Sequence, residues 1–121
     1  MMAPGFAERF AREWVAAWNA HDLERILSHY EDDFEMSSPV IAKLVGEASG
    51  TLRGKPAIRA YWAKALAAAP DMRFELVRAL AGINSVTVYY NGHRGHAAEV
   101  FHFAASGKVT KAFAHYAEWQ P

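Results

Sequence analysis

Aromatic residues near the start of the chain recur at helical spacing. Phe6, Phe10, Trp14 and Trp18 fall on every fourth position and share one face of a helix expected over about Phe6–Asn19. Glu8, Arg9, Arg12 and Glu13 take the opposite face, and Pro4-Gly5 marks the start. The stripe reads as core, and each buried indole N–H then needs a partner. Asn19-Ala20-His21 breaks this helix, and Asp22 is a suitable N-cap for a second. Leu23, Ile26, Leu27 and Tyr30 follow at i, i+3, i+4 and i+7, so Tyr30 is expected to close the buried stripe of helix two. Its hydroxyl must find a hydrogen bond there. Glu31-Asp32-Asp33 would sit at the helix's C-terminal end, where the macrodipole disfavours anions, and reads as a solvated turn. Phe34–Ser38 alternates as a short strand stopped by Pro39. Val40–Val45 is apolar but short, and with the small, polar Gly46–Gly50 loop it forms either a cover over a cavity or a long connection. Gly54-Lys55-Pro56 opens a third helix, whose inner face is Ile58, Tyr61, Trp62, Ala65 and Leu66, and Pro70 ends it.

Beyond Pro70 the period changes to two. Met72–Leu80 places Met72, Phe74, Leu76 and Leu80 on one face, with Arg78 beside them unless a bulge shifts the register. Gly82-Ile83-Asn84 turns the chain into the strand Ser85–Tyr90, and Asn91-Gly92 is a hairpin signal. The last strand pair, Gly95–Ala104 and Val109–Glu118, folds about Ala105-Ser106-Gly107-Lys108. Three helices followed by hairpin-linked strands predict an α+β domain with a mainly antiparallel sheet.

Composition narrows the function classes. The 121 residues are 52% hydrophobic and 21% charged, as expected of one folded domain over 1–121. Thirteen basic residues balance thirteen acidic ones, leaving no electrostatic footprint for nucleic acid or an anionic membrane. The chain has no cysteine, which removes disulfides, thiolate metal sites and a Cys nucleophile. Charges at Glu8, Arg9, Arg12 and Glu13 interrupt any signal-like apolar run, so a cytoplasmic location is the expectation. Metal binding needs three or four converging ligands, and the His residues do not supply them, so neither a metal nor a cofactor is expected.

The chemistry concentrates on Glu99, the acidic residue in Ala97-Ala98-Glu99-Val100-Phe101. A carboxylate in mid-strand is costly to bury unless it is paired, hydrogen-bonded or neutralised by a raised pKa. If Ala104 pairs with Val109, Glu99 lies opposite Ala114 and Ala97 opposite Tyr116. Ala97, Glu99, Phe101 and Phe103 then share a face with Ala112, Ala114 and Tyr116, and the small alanines leave space above the sheet. His96, Ala98, Val100 and His102 with Lys111, Phe113 and His115 form the other face. Two readings of Glu99 stay open: a buried ion pair with Arg78, or a carboxyl directed at a polar group on an apolar ligand.

Several local phrases carry a family resemblance: Trp14-x3-Trp18-Asn19-x2-Asp22-Leu23, Tyr30-Glu31-Asp32-Asp33-Phe34, Ser38-Pro39, Gly54-Lys55-x2-Ile58-x2-Tyr61-Trp62, Ala98-Glu99-Val100, and Gly107-Lys108-Val109 with His115-Tyr116. In this order they resemble the SnoaL-like branch of the nuclear transport factor 2-like superfamily, which holds ketosteroid isomerases, polyketide cyclases and dehydratases. The resemblance implies a cone-shaped curved sheet wrapped around a long N-terminal helix, a deep apolar pocket, and a homodimer through the outer sheet face. Against the isomerase pattern, in which a base acts with a Tyr and a protonated Asp, Glu99 resembles the protonated acid and Tyr30 a tyrosine of its network. Trp62 stands where another network tyrosine is expected. Ser38 occupies the place of the catalytic base, and Trp14 that of the oxyanion-hole tyrosine. A serine hydroxyl is no general base at neutral pH without another base beside it, so steroid isomerisation is not the expected reaction.

The implied catalytic pair is Glu99 with Tyr30. The implied pocket draws on Trp14, Trp18, Ser38, Tyr61, Trp62 and Phe74, and on the strand residues Val88, Tyr90, Phe101, Ala112, Ala114 and Tyr116. The expected partner is a small hydrophobic molecule. The activity is either isomerase-, cyclase- or dehydratase-type acid–base chemistry on an oxygenated compound, or non-catalytic binding or dimeric interaction.

Overall fold

The every-fourth-residue aromatic stripe does build the first helix, and the rest of the chain folds over it. In the computed structural model, which describes residues 2–117, the elements are α1 (Phe6–Asn19), α2 (Leu23–Leu27), β1 (Tyr30–Ser37), α3 (Pro39–Val45), β2 (Thr51–Arg53), α4 (Lys55–Ala68), β3 (Glu75–Gly82), β4 (Ser85–Gly92), β5 (Gly95–Phe103) and β6 (Val109–Tyr116). Glu118, the expected end of the last strand, lies outside the described residues.

The strands form one curved, unclosed sheet in the order β2-β1-β6-β5-β4-β3. Among the described residues, only β1 and β6 run parallel. The concave face is filled by α1. The Trp14 ring centroid lies 5.4 Å from Phe74, 5.1 Å from Tyr90 and 5.4 Å from Phe101, so one side chain ties α1 to three parts of the sheet side. Phe10 packs on Phe101 and Phe103 at 4.8 and 4.9 Å, closing that end of the cone with aromatic rings.

Five expectations require correction. First, α2 ends at Leu27, and Tyr30 is the first residue of β1 rather than the last of a helix. A helical i+7 position and the start of a buried strand make the same demand for an apolar side chain. Pairing with β6 decides between them, with Tyr30 opposite Val109 and the Val109 N–H donating to the His29 carbonyl at 2.9 Å. Second, Glu31-Asp32-Asp33 belongs to β1, where the register against β6 shifts, although Asp32 and Asp33 are solvated as expected. Third, there are four helices among the described residues, because Val40–Val45 lies in α3. Ser38 caps it by accepting from the Val40 N–H at 3.1 Å, Pro39 fits its first turn, and Gly46 at φ 78° ends it. The three-residue strand β2, which pairs with β1 through Thr51–Arg53, carries no sequence signal of its own.

Fourth, β3 begins at Glu75, and a bulge follows Leu76. Leu76 opposes Tyr90, but Arg78 rather than Val77 opposes Tyr89. The extra residue turns Leu76 and Ala79 inward and leaves Arg78 and Leu80 exposed. Arg78 is therefore no partner for the buried Glu99, and the ion-pair reading fails. Fifth, Phe103 rather than Ala104 opposes Val109; an irregularity then restores the expected register, with Glu99 opposite Ala114 and Ala97 opposite Tyr116.

The chain before β3 is held by Asn19, at the C-terminal end of α1. Its Nδ2 donates to the Phe74 carbonyl at 2.9 Å, and its Oδ1 accepts from the Phe74 N–H at 2.6 Å, imitating a strand partner. Asn19→Ala should lower the unfolding free energy by about 1–3 kcal/mol, because both groups of Phe74 lose their partner. Chemical denaturation checks this; a loss under about 0.5 kcal/mol would mean that the pairing does not hold the segment.

Candidate functional site

Alternation along β5 buries Ala97, Glu99, Phe101 and Phe103 and exposes His96 and His102. Glu99 sits at the middle of this inner row, between Val88 on β4 and Ala114 on β6, and is 5% exposed. It lines a cavity of about 220 Å³. Trp14 and Trp18 of α1, Tyr61 and Trp62 of α4, and Val40 and Leu44 of α3 also line it, with Phe74, Tyr90, Ala97 and Tyr116 on the sheet side. The α3 segment is thus a cover over the cavity and not a bare connection.

Burial pushes the Glu99 carboxyl up to about 8, against a hydrogen bond from the Tyr90 hydroxyl that favours the charged form. At neutral pH the acid is therefore mostly protonated, and a protonated carboxyl has an O–H to donate. Burial likewise raises Tyr61, Tyr90 and Tyr116, with the Glu99 charge adding to the effect at each, so all three phenols are neutral donors. Tyr61 and Tyr116 hydrogen-bond with the Ser38 side chain, and the positive charge of Arg94 acts in the same direction on both. The wall can therefore offer protons and hydrogen bonds to oxygen atoms within an aromatic enclosure.

The other expected site residues divide by position along the cone. Tyr30 is fully buried and does not line the cavity; its hydroxyl accepts from Trp14 Nε1 at 3.1 Å, and its ring packs on Phe34 and Trp62. It supports Trp14 from behind. Val88, Phe101 and Ala112 are on the inner face but completely covered. Ser38 and Ala114 line a second, more open cleft with Phe113 and His115; they reach Glu99's cavity only indirectly, Ser38 through its bonds to Tyr61 and Tyr116 and Ala114 as the register partner of Glu99. Alternation specifies which face a strand residue takes, but not which part of that face the helices fill.

Sequence reasoning did not single out Met36, Ala65, Met72, Gly92, His93 and Arg94 as lining residues, and it held Val40 and Leu44 only within the possible Val40–Val45 cover; Ala97 was on the expected face beside Glu99. Val40 and Leu44 were legible as an i, i+4 apolar pair following a Ser-Pro helix start. Arg94 carried no signal, since a turn residue reaches a cavity only through the tertiary path of its hairpin. Gly92 has a steric reason: a Cβ there would meet the Tyr90 ring at 2.8 Å, displacing the hydroxyl that bonds Glu99. Among the described residues no group of three or more His, Asp or Glu side chains is placed to hold a metal, and no helix is long and apolar enough to cross a membrane.

A curved open sheet filled by an N-terminal helix is the nuclear transport factor 2-like fold. The chain belongs to the SnoaL-like domain family, whose sequence model matches residues 11–113. It is similar to a SnoaL-like protein of unknown function from Burkholderia thailandensis, with 55% identity over 96% of this chain and 98% of that one, at a TM-score of 0.93. A protein provisionally titled a ketosteroid isomerase from Kribbella flavida shares 16% identity over 96% and 82% of the two chains, at a TM-score of 0.71. A provisionally titled hydroxylase from Streptomyces galilaeus shares 21% identity over 93% and 75%, at 0.72. The last two likenesses are of fold. Among curated proteins, none matches the chain.

Proposed function

We propose that the cavity binds a compact, oxygenated hydrophobic molecule and that protonated Glu99 donates to one of its oxygens. The reaction class this serves is acid-assisted isomerisation, cyclisation or dehydration. The observation that carries the reading is a buried carboxyl, raised to about 8, on the wall of an aromatic cavity. Tyr90 orients that carboxyl, and Tyr61 and Tyr116 supply further neutral donors. A cavity of about 220 Å³ exceeds the ~150 Å³ that encloses benzene but falls below the ~300–1,000 Å³ of sites for drug-sized ligands. One substituted ring fits within this volume, and a four-ring steroid would extend beyond it.

A second reading, a binding module without turnover, is favoured by the state of the two positions where the isomerase pattern has its base and its oxyanion donor. Ser38 is engaged as a helix cap, and the Trp14 N–H is committed to Tyr30. Native mass spectrometry and extraction of the purified protein test both readings. A bound oxygenated ring compound, lost in Glu99→Leu, which removes the donor, is the expected result; equal retention in that variant would contradict the assignment of Glu99. Where the compound is turned over, Glu99→Gln should lower kcat by about 10²–10⁴-fold, the usual contribution of a positioned acid. Retention of ligand with no turnover in either protein selects the binding module.

We also propose that two copies pair through the outer sheet face. Val77, Leu80 and Tyr89 leave 48%, 53% and 39% of their surface exposed there, an apolar area that association would cover. Sedimentation equilibrium at micromolar concentration should give a dimer; a monomer would contradict the pairing.

A further inference from the structure

The cavity's two ionisable extremes stand at different depths. Among its described lining residues, Arg94 is the one Lys or Arg and Glu99 the one Asp or Glu. Glu99 is 5% exposed and lies about 13 Å along β5 from Gly95. Arg94 is exposed on the tight turn His93-Arg94, which Gly92 and Gly95 close as register partners. The acid is therefore deep and the arginine is at the mouth. The Arg94 charge acts on the hydroxyls of both Tyr61 and Tyr116, which line the wall on α4 and β6. That influence falls with distance, so the guanidinium stands on the cavity's side of the turn, near both phenols. At neutral pH Glu99 is mostly protonated, and Tyr61, Tyr90 and Tyr116 are neutral. An anion entering the cavity thus meets a cation at the mouth and no carboxylate charge among the described lining residues.

We infer that the molecule held in the cavity is a single-ring carboxylic acid, its carboxylate at the mouth on the Arg94 guanidinium and a second oxygen at the far end of the ring, toward Glu99. This rests on the reading of the cavity as a ligand site and specifies the ligand further. A guanidinium presents several N–H donors in a planar fork that matches a carboxylate, so it receives one alongside the other contacts it makes. The apolar walls formed by Val40, Leu44 and Met72 hold the ring between the two polar ends. The arrangement gives the ligand a direction, with its charge outward and its neutral oxygen inward. A neutral ring compound forgoes the mouth contact, and a cationic one is repelled by it.

The test titrates two probes of nearly equal shape, 4-oxocyclohexanecarboxylate and 4-oxocyclohexanecarboxamide, into the full chain and follows binding by calorimetry. The acid should bind about five- to tenfold more tightly than the amide, between the share of an exposed ion pair and that of a buried charged hydrogen bond. This preference should shrink as salt is raised. Arg94→Gln should bring the acid down to the affinity of the amide and leave the amide unchanged, while Arg94→Lys, which keeps the charge without the fork, should retain part of the preference. Equal affinities in the unmodified chain, or a preference for the acid that survives Arg94→Gln, would overturn this inference, and binding of the amide in either case leaves the ligand-site reading standing. If neither probe binds at millimolar concentration, the ligand-site reading falls and this inference with it.

Discussion

Glu99→Gln should abolish most of the loss of stability that the protein undergoes as pH rises from about 5 to about 8. Glutamate ordinarily ionises near 4.5, and burial raises Glu99 to about 8. Below 4.5 the carboxyl is protonated in both folded and unfolded chains and contributes no slope. Between the two values the folded chain keeps a proton that the unfolded chain releases, so raising the pH favours unfolding. Above about 8 both states are ionised, and the full cost of a buried carboxylate applies. At 1.36 kcal/mol for each pH unit of difference, that cost is on the order of 5 kcal/mol. Glutamine has nearly the same shape, keeps a donor and does not titrate. The difference between the unfolding free energies of the two proteins, followed from pH 4 to pH 9, therefore isolates this group. His29, whose pKa burial lowers, slopes the opposite way in both proteins and cancels in the difference. A difference that is constant with pH would mean that Glu99 ionises as an ordinary surface acid.

Trp14→Ala should cost about 3–5 kcal/mol, the usual range for removing a large buried ring. Trp14 is 1% exposed and touches the rings of Trp18, Phe74, Tyr90 and Phe101, so α1 loses the side chain that anchors it in the sheet. Trp14→Phe separates packing from hydrogen bonding. It keeps an aromatic ring but leaves the fully buried Tyr30 hydroxyl without its donor, at about 1–3 kcal/mol. The double variant Trp14→Phe/Tyr30→Phe should then recover part of the loss, because no stranded hydroxyl remains. Urea denaturation of the four proteins measures this. A loss under about 1 kcal/mol in Trp14→Ala would show that the aromatic cluster does not hold α1 in place.

The fold was legible where side-chain periodicity and turn chemistry agree. The Phe6–Trp18 stripe, the Asp22 cap and the Pro56 start all formed as their residue types require, while the hairpin expected at Asn91-Gly92 turns two residues later, at His93-Arg94, with Asn91 and Gly92 paired to β5. It was not legible where pairing with a distant strand decided the outcome. Tyr30 joined β1 because β6 lies beside it, and Thr51–Arg53 became a strand only through β1. The bulge after Leu76 was readable as the alternative to an inward Arg78, pairing with β4 decided for it, and it changed the reading of Glu99 most. It moved Arg78 to the outside, so the carboxyl is stabilised by losing its charge and not by a cation. Glu99 itself was readable, since a lone acid in an apolar strand has few stable environments. Its hydroxyl partner was not, since Tyr90 reaches it only because Gly92 leaves room for the ring.

Glu99 is a neutral acid at physiological pH, held so by an apolar cavity. The most direct measurement is a ¹³C NMR titration of the Glu99 side-chain carboxyl in the folded protein, its signal identified by its loss in Glu99→Gln. A midpoint near 8 is the predicted result. A midpoint near 4.5 would contradict the account, because the carboxyl would then be charged at neutral pH with no proton to give a ligand.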